Sequence, residues 1–207
     1  MFFHRTPQLV QQLYPSLTWS VKTNEKKIFL TFDDGPIPKL TEFILDILNE
    51  FGAKGTFFCV GENLNRYGEI AFRAVAEGHQ LGNHTFSHLN GWRCTTADYV
   101  ENTEKCNHVL KPYRQKYSLF RPPYGKIRRG QINKIKKRYQ IIMWNVLTGD
   151  YSRQVKPRDC LYNSIKATRP GSIVLFHDNI KAEKNLTYSL PRFLEHFEKK
   201  DYQFGLV

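Results

Sequence analysis

The run Lys27-Ile-Phe-Leu-Thr-Phe32, followed directly by Asp33-Asp34-Gly35-Pro36, constrains this chain more than any other stretch. Its β-branched and aromatic residues suit an interior strand. Gly35-Pro36 then forces a turn, so two adjacent carboxylates sit where the strand opens into a loop. Neighbouring side chains on extended backbone point in opposite directions, so Asp33 and Asp34 should have separate partners. Further along, His84-Thr-Phe-Ser-His88 supplies two imidazoles. Together these segments suggest one carboxylate and two imidazoles on a metal ion, with the second carboxylate free to act as a base.

Apolar runs alternate with helical patterns through most of the chain. Strands are expected at Lys27–Phe32, Gly55–Val60, Gln80–Asn83, Leu119–Arg121, Gln140–Trp144, Ser172–Phe176 and Tyr202–Phe204. Helices are expected at Thr41–Phe51, Ile70–Ala76, Ala97–Leu110, Gln131–Arg138, Asp159–Ala167 and Leu190–Lys199, the first marked by the period of Phe43, Ile44, Ile47, Leu48 and Phe51. That alternation predicts an α/β fold with a mostly parallel sheet. The chemically capable residues fall at strand ends: Asp33 and Asp34, His84, Arg121, Trp144–Asp150 and His177. In parallel barrels the loops after the strands gather at one face, so residues far apart in sequence converge there.

With 207 residues, 41% hydrophobic and 24% charged, the chain reads as one soluble domain. Residues 1–25 are expected to be an N-terminal extension packed on a domain of residues 26–207. No apolar run is long enough for a membrane span, and the first residues lack the order of a signal peptide. The expected location is therefore the cytoplasm, or the cell envelope for a mature domain without its export signal. Cys59, Cys94, Cys106 and Cys160 have no C-x-x-C spacing and read as reduced thiols. The net charge of +12 favours anionic surroundings. Its densest segment, Lys126–Arg138, reads either as the solvated face of an amphipathic helix on Ile127, Ile132 and Ile135 or as a contact for anionic polymer. It carries no nucleic-acid motif.

His84 and His88, four residues apart, would share one side of a helical turn and chelate a metal with Asp34. Three protein ligands leave a coordination position open, as a catalytic site requires. Zn²⁺ is the default for such ligands, with Co²⁺, Ni²⁺ and Mn²⁺ as alternatives. In Arg121-Pro-Pro-Tyr-Gly125 the prolines stiffen the backbone and bias Arg121 away from helix, so its guanidinium should pair with Asp33. His177 ends the strand Ser172–Phe176, and Asp150 is expected to orient it as a general acid.

These motifs, in this order, resemble those of the polysaccharide deacetylase family, which shares the NodB homology domain and is called carbohydrate esterase family 4. Thr31-Phe-Asp-Asp-Gly35, His84-Thr-Phe-Ser-His88, Arg121-Pro-Pro-Tyr124 and Leu175-Phe-His177 match its first, second, third and fifth motifs. The resemblance implies a distorted (β/α)7 barrel and metal-dependent removal of acetyl groups from amino sugars such as N-acetylglucosamine. It implies Asp33 as base, Asp34, His84 and His88 as metal ligands, and His177 with Asp150 as the acid pair. The Tyr124 backbone N–H would donate to the oxyanion, since Pro122 and Pro123 have none to give. Leu175, Tyr151 and Trp144 are expected to wall the pocket. Two departures fall in the fourth motif: Leu147 stands where the family often has Asp, and Tyr151 where it often has Trp. Other expected substrates are an O-acetyl sugar, a lipid-linked sugar or a non-sugar amide. A different class of function, an inactive binder of anionic polymer, is disfavoured by the complete catalytic set.

Overall fold

Alternation along the first strand sets the architecture. In β1 (Lys27–Asp33), Ile28, Leu30 and Phe32 join an outer core beneath the helices, while Phe29, Thr31 and Asp33 face the barrel interior. The interior therefore grades from apolar at the start of the strand to polar at its end. Phe29 packs with Phe58, Leu119, Ile142 and Ile173, and Thr31 and Asp33 lie above them.

A computed structural model describes residues 3–113 and 116–207. A short helix α1 (Gln8–Leu13) precedes β1, and α2 (Leu40–Glu50), β2 (Thr56–Cys59), α3 (Gly61–Arg66), α4 (Gly68–Ala76) and β3 (Gln80–Asn83) follow it. Next come α5 (Thr96–Leu110), β4 (Leu119–Phe120), α6 (Arg129–Ile135), β5 (Gln140–Ile141) and β6 (Val146–Leu147). The chain ends with α7 (Pro157–Ala167), β7 (Ile173–His177), α8 (Glu183–Glu198) and β8 (Gln203–Gly205). The strands pair in parallel in the order β5-β4-β3-β2-β1-β7-β6, with β8 also on β1. This is the curved parallel sheet of a distorted (β/α)7 barrel. Among the described residues no helix is long and apolar enough to cross a membrane.

Local chemistry accounts for most boundaries. Thr95 and Asp98 form a capping box at the start of α5. Helix α8 begins well before the expected Leu190 because Leu186, Leu190, Phe193, Leu194 and Phe197 make one buried stripe. That packing carries the helix through Pro191, which a local reading takes as a break.

The largest difference from expectation is at Gln140–Trp144, expected as one strand. Only Gln140 and Ile141 join the ladder. The Ile142 and Met143 carbonyls instead accept from the Arg121 guanidinium, at 3.1 and 2.8 Å, and Met143 N–H donates to Thr18 O. The chain re-enters the sheet as β6, which the hydrophobic pattern did not reveal. Among the described residues β5 and β6 do not pair, and the N-terminal segment lies along this seam. Thr18 N–H donates to Ile141 O, Thr6 N–H to Asn145 O, Leu147 N–H to His4 O and Val21 N–H to Gly171 O. All four cysteines are free, Cys59 and Cys106 being buried beneath α5.

Candidate functional site

The expected residues meet at the carboxyl ends of the strands. Asp33 is the last residue of β1 and pairs with His177, the last of β7, across the parallel ladder. Parallel partners point to the same side, so the two side chains share the barrel mouth about 4.8 Å apart in backbone terms. Asp34 leaves the strand with φ of 91°.

The two acids differ in their hydrogen-bond partners, although both carboxylates reach toward His84 Nε2. Arg121 is fully buried, and its Nη1 donates to Asp33 Oδ1 and to Thr31 Oγ1, both at 2.8 Å. Its remaining donors go to the β5–β6 carbonyls, and its guanidinium lies over Phe58 at 4.1 Å. Four of its five N–H groups are thus bonded, and with the Asp33 carboxylate this offsets much of the cost of burying the charge. Asp33 Oδ2 is left facing His84 Nε2 at 3.8 Å.

Asp34, His84 and His88 form a cluster whose donor atoms lie within 4.8 Å of one another. Asp34 Oδ1 is 3.5 Å from His84 Nε2 and 3.0 Å from His88 Nε2. Tetrahedral ligation with bonds of about 2.0 Å sets donors about 3.3 Å apart, so the spacing fits one Zn-sized cation. Two observations support that fit. Asp34 Oδ1 is buried and accepts no hydrogen bond, a cost a cation would remove. His84 Nδ1 lies 2.8 Å from Arg121 O, which can only accept, so Nδ1 carries a proton and Nε2 is the nitrogen that could ligate a cation. His88 Nδ1 is similarly occupied by the Tyr124 hydroxyl at 3.0 Å. Burial opposes ionisation of Asp34, but His84 and His88, with His177 beyond, hold its carboxyl well below the usual carboxylate range.

The histidines do not share a helical turn. Residues 84–88 are irregular, with Thr85 and His88 at positive φ of 63° and 54°. Asn83 Oδ1 accepts from Thr85 N–H, and Asn102 Oδ1 from the Phe86 and Ser87 N–H groups, so side chains hold the loop that a helix would have held by its own backbone.

On the other side, His177 Nδ1 is 2.8 Å from Asp150 Oδ1, and Asp150 Oδ2 accepts the His177 backbone N–H at 2.7 Å. Burial disfavours the imidazolium, but Asp150, reinforced by Asp34 and Asp33, outweighs it and pushes the His177 pKa up to about 9. Tyr151 meets the His177 ring edge-on at 4.9 Å. Leu175 is buried on β7 two residues before His177, hence on its side of the sheet. Trp144 lies under the Arg121 guanidinium and beside Gly125, where a Cβ would come 2.9 Å from the indole. Tyr124 sits at φ of 59° in a turn closed by Gly125 N–H to Pro122 O and Lys126 N–H to Pro123 O, bonds that do not use its own amide.

Three partners went unread in the sequence. Thr31 shares Arg121 with Asp33, and its i, i+2 position on β1 was the available signal. Asn179 Nδ2 donates to Asp34 Oδ2. Asp178 takes Gly35 N–H at 2.8 Å and Thr41 Oγ1–H at 2.7 Å, and burial, tempered by Thr41, pushes its carboxyl up to about 8. A Cβ at Gly35 would fall 1.8 Å from an Asp178 oxygen, so only glycine admits this brace. Both follow His177 directly, yet nothing in their spacing shows that they turn back onto the Asp34 loop.

Comparison with known proteins points the same way. The family model described as polysaccharide deacetylase matches residues 20–141. A peptidoglycan-N-acetylglucosamine deacetylase of Bacillus cereus is 30% identical over 210 residues, covering 96% of this chain and 95% of that protein. A chitooligosaccharide deacetylase of Azorhizobium caulinodans is 34% identical over 165 residues, 76% of each chain. Among solved structures, a peptidoglycan N-acetylglucosamine deacetylase in complex with 4-naphthalen-1-yl-N-oxidanyl-benzamide superposes with a TM-score of 0.88 at 29% identity, covering 98% of this chain and 95% of the other.

Proposed function

The chain belongs to the polysaccharide deacetylase family, and from that premise we propose that it hydrolyses the N-acetyl amide of N-acetylglucosamine-type sugars in cell-wall glycan or related oligosaccharides. The observation that carries this reading is the placement of a three-donor cluster between two differently held acid–base groups. Asp33 is fixed by Arg121 on one side, and His177 by Asp150 on the other. The names of the relatives supply the substrate class.

Asp34, His84 and His88 would hold a divalent ion, which when bound would supply Lewis acidity toward the acetyl carbonyl and a more acidic water. Zn²⁺ suits one carboxylate and two imidazoles, and Co²⁺, Ni²⁺ and Mn²⁺ accept the same donors. Arg121 occupies Asp33 Oδ1 and keeps the carboxylate oriented, so Oδ2 is the oxygen that accepts the proton of the attacking water. The Tyr124 amide, outside the hydrogen bonds of its own turn, donates to the oxygen that gains charge as the carbonyl is attacked. His177, kept protonated by Asp150, gives a proton to the departing amine nitrogen, and Asp150 spreads the charge change. Tyr151, Leu175 and Trp144 wall the space for the acetyl methyl. Leu147 is buried on β6 and offers no carboxylate there, so the departure at this position changes pocket shape and leaves the acid–base set intact.

The test is acetate release from an N-acetylglucosamine oligosaccharide after metal reconstitution. Asp33→Asn should keep the metal and lose turnover by about 10²-fold or more, whereas Asp34→Asn should lose metal affinity first. Identical, metal-free behaviour of both variants would remove Asp33 from the role of base.

A further inference from the structure

A buried amide ties the loop after His88 to the loop after Arg121. Gln131 on α6 is fully buried; its Nε2 donates to Gly91 O and its Oε1 accepts from Arg128 N–H, both at 2.8 Å. A Cβ at Gly91 would lie 2.5 Å from Lys126 O, so the glycine lets the loops touch. The clamp fixes Trp92, which stays 56% exposed, beside Lys126. The Lys126 ammonium is 5.4 Å from the Trp92 ring centroid and 6.0 Å from that of Tyr124. Tyr124 in turn packs edge-on against His88, with ring centroids 4.5 Å apart. His88, Tyr124, Lys126 and Trp92 thus form a continuous path outward from the candidate metal centre.

The electrostatics of this path are one-sided. From Leu119 to Gly149 the sequence has no Asp or Glu, nor has the Trp92 loop from His88 to Thr95, and Asp98 at the start of α5 is spent capping that helix. Topology also divides the basic segment Lys126–Arg138. Helix α6 runs from the loop after β4 down to the start of β5, so Lys126 and Arg128 lie at the catalytic end, while Lys136, Lys137 and Arg138 lie at the far end. Arg138 is already paired with Glu104.

A pyranose ring has an apolar face of C–H groups that an exposed indole can cover. An ammonium beside that indole, on loops that carry no carboxylate of their own, favours a negative substituent on the same ring. We infer that Trp92 and Lys126, together with Tyr124, form a binding subsite for a carboxylate-bearing sugar adjacent in the glycan to the residue that is deacetylated. The inference rests on the deacetylase reading for what lies beyond the subsite, and its own test is a binding measurement.

Calorimetric titration would use two probes: an oligosaccharide alternating N-acetylglucosamine with its 3-O-carboxyethyl derivative, and the same oligosaccharide with its carboxyls reduced to alcohols. The protein should bind the carboxylated probe about threefold to fivefold more tightly at low salt, the preference shrinking as salt rises. Lys126→Met should erase that preference and leave affinity for the reduced probe unchanged. Trp92→Leu should weaken both probes by about fivefold. Equal affinity of the parent protein for the two probes, or a preference that survives Lys126→Met, overturns the subsite. Acetate release is measured on the same samples. The expected binding pattern without acetate would overturn the deacetylase reading alone, and acetate release without carboxylate preference would overturn the subsite alone.

Discussion

Replacing Asp150 by Asn tests whether His177 is held as an acid. The substitution keeps the shape of a fully buried side chain and removes its charge. With Asp150 in place, the His177 pKa stands at about 9, although burial alone works against the charged ring. Without that carboxylate, burial meets less opposition and the pKa falls toward or below the ordinary value of about 6.5. A group with a raised pKa is protonated below that value and loses its proton as pH rises through it, so the parent enzyme should keep its acid until about pH 9. At pH 8, a pKa of about 9 leaves about 90% of the groups protonated, and one of about 6.5 leaves about 3%. The competent fraction therefore drops about thirtyfold. A bound divalent cation offsets the field of Asp34 and Asp33 in both proteins, so their difference isolates Asp150. The assay is the pH dependence of acetate release under saturating substrate. The alkaline limb should move down by more than about one pH unit in Asp150→Asn. His177→Ala should lose more rate on an acetamide than on an activated acetyl ester, whose leaving group needs little protonation. An unmoved alkaline limb, or equal losses on the two substrates, would refute His177 as the general acid.

Metal content offers a second check: elemental analysis after reconstitution should find about one divalent ion per chain, and chelation should abolish activity reversibly. A His84→Ala/His88→Ala double variant that kept the full metal content would exclude this cluster. The division of the chain into an extension of residues 1–25 and a domain of residues 26–207 is a proposal with its own test. Because Leu17 is buried among Tyr99, Phe120 and Met143, Leu17→Ala should cost about 2–4 kcal/mol in urea unfolding. A cost within experimental error would show that the N-terminal extension contributes no stability to the barrel through Leu17.

The sequence alone determined the parts of this protein that depend on short-range pattern. A β-branched, aromatic run ending in Asp33-Asp34-Gly35 declares an interior strand with its chemistry at the exit. Alternation of such runs with helical periods declares a parallel α/β sheet, and parallel topology alone brings Asp34, His84, Arg121 and His177 to one face. That Asp33 and Asp34 would differ in partner was legible in part: Arg121 bonds only Asp33 and Asn179 only Asp34, but His84 faces both carboxylates. Tertiary structure decided what depends on groups distant in sequence. The strand expected at Gln140–Trp144 breaks because Ile142 and Met143 give their carbonyls to Arg121, a demand made some 20 residues earlier in the chain. The two-residue strand β6 is too short for any period to show, and the seam beside it is occupied by an N-terminal segment whose pairing is non-local. The His84–His88 spacing fits a helical turn locally, yet Asn83 and Asn102 hold it as a loop. Asn179 braces Asp34, and Asp178 its neighbour Gly35, across about 145 residues of chain. Hydrophobic periodicity records only whether a residue faces core or solvent, so it cannot name the partner of a buried polar group; only the folded packing does.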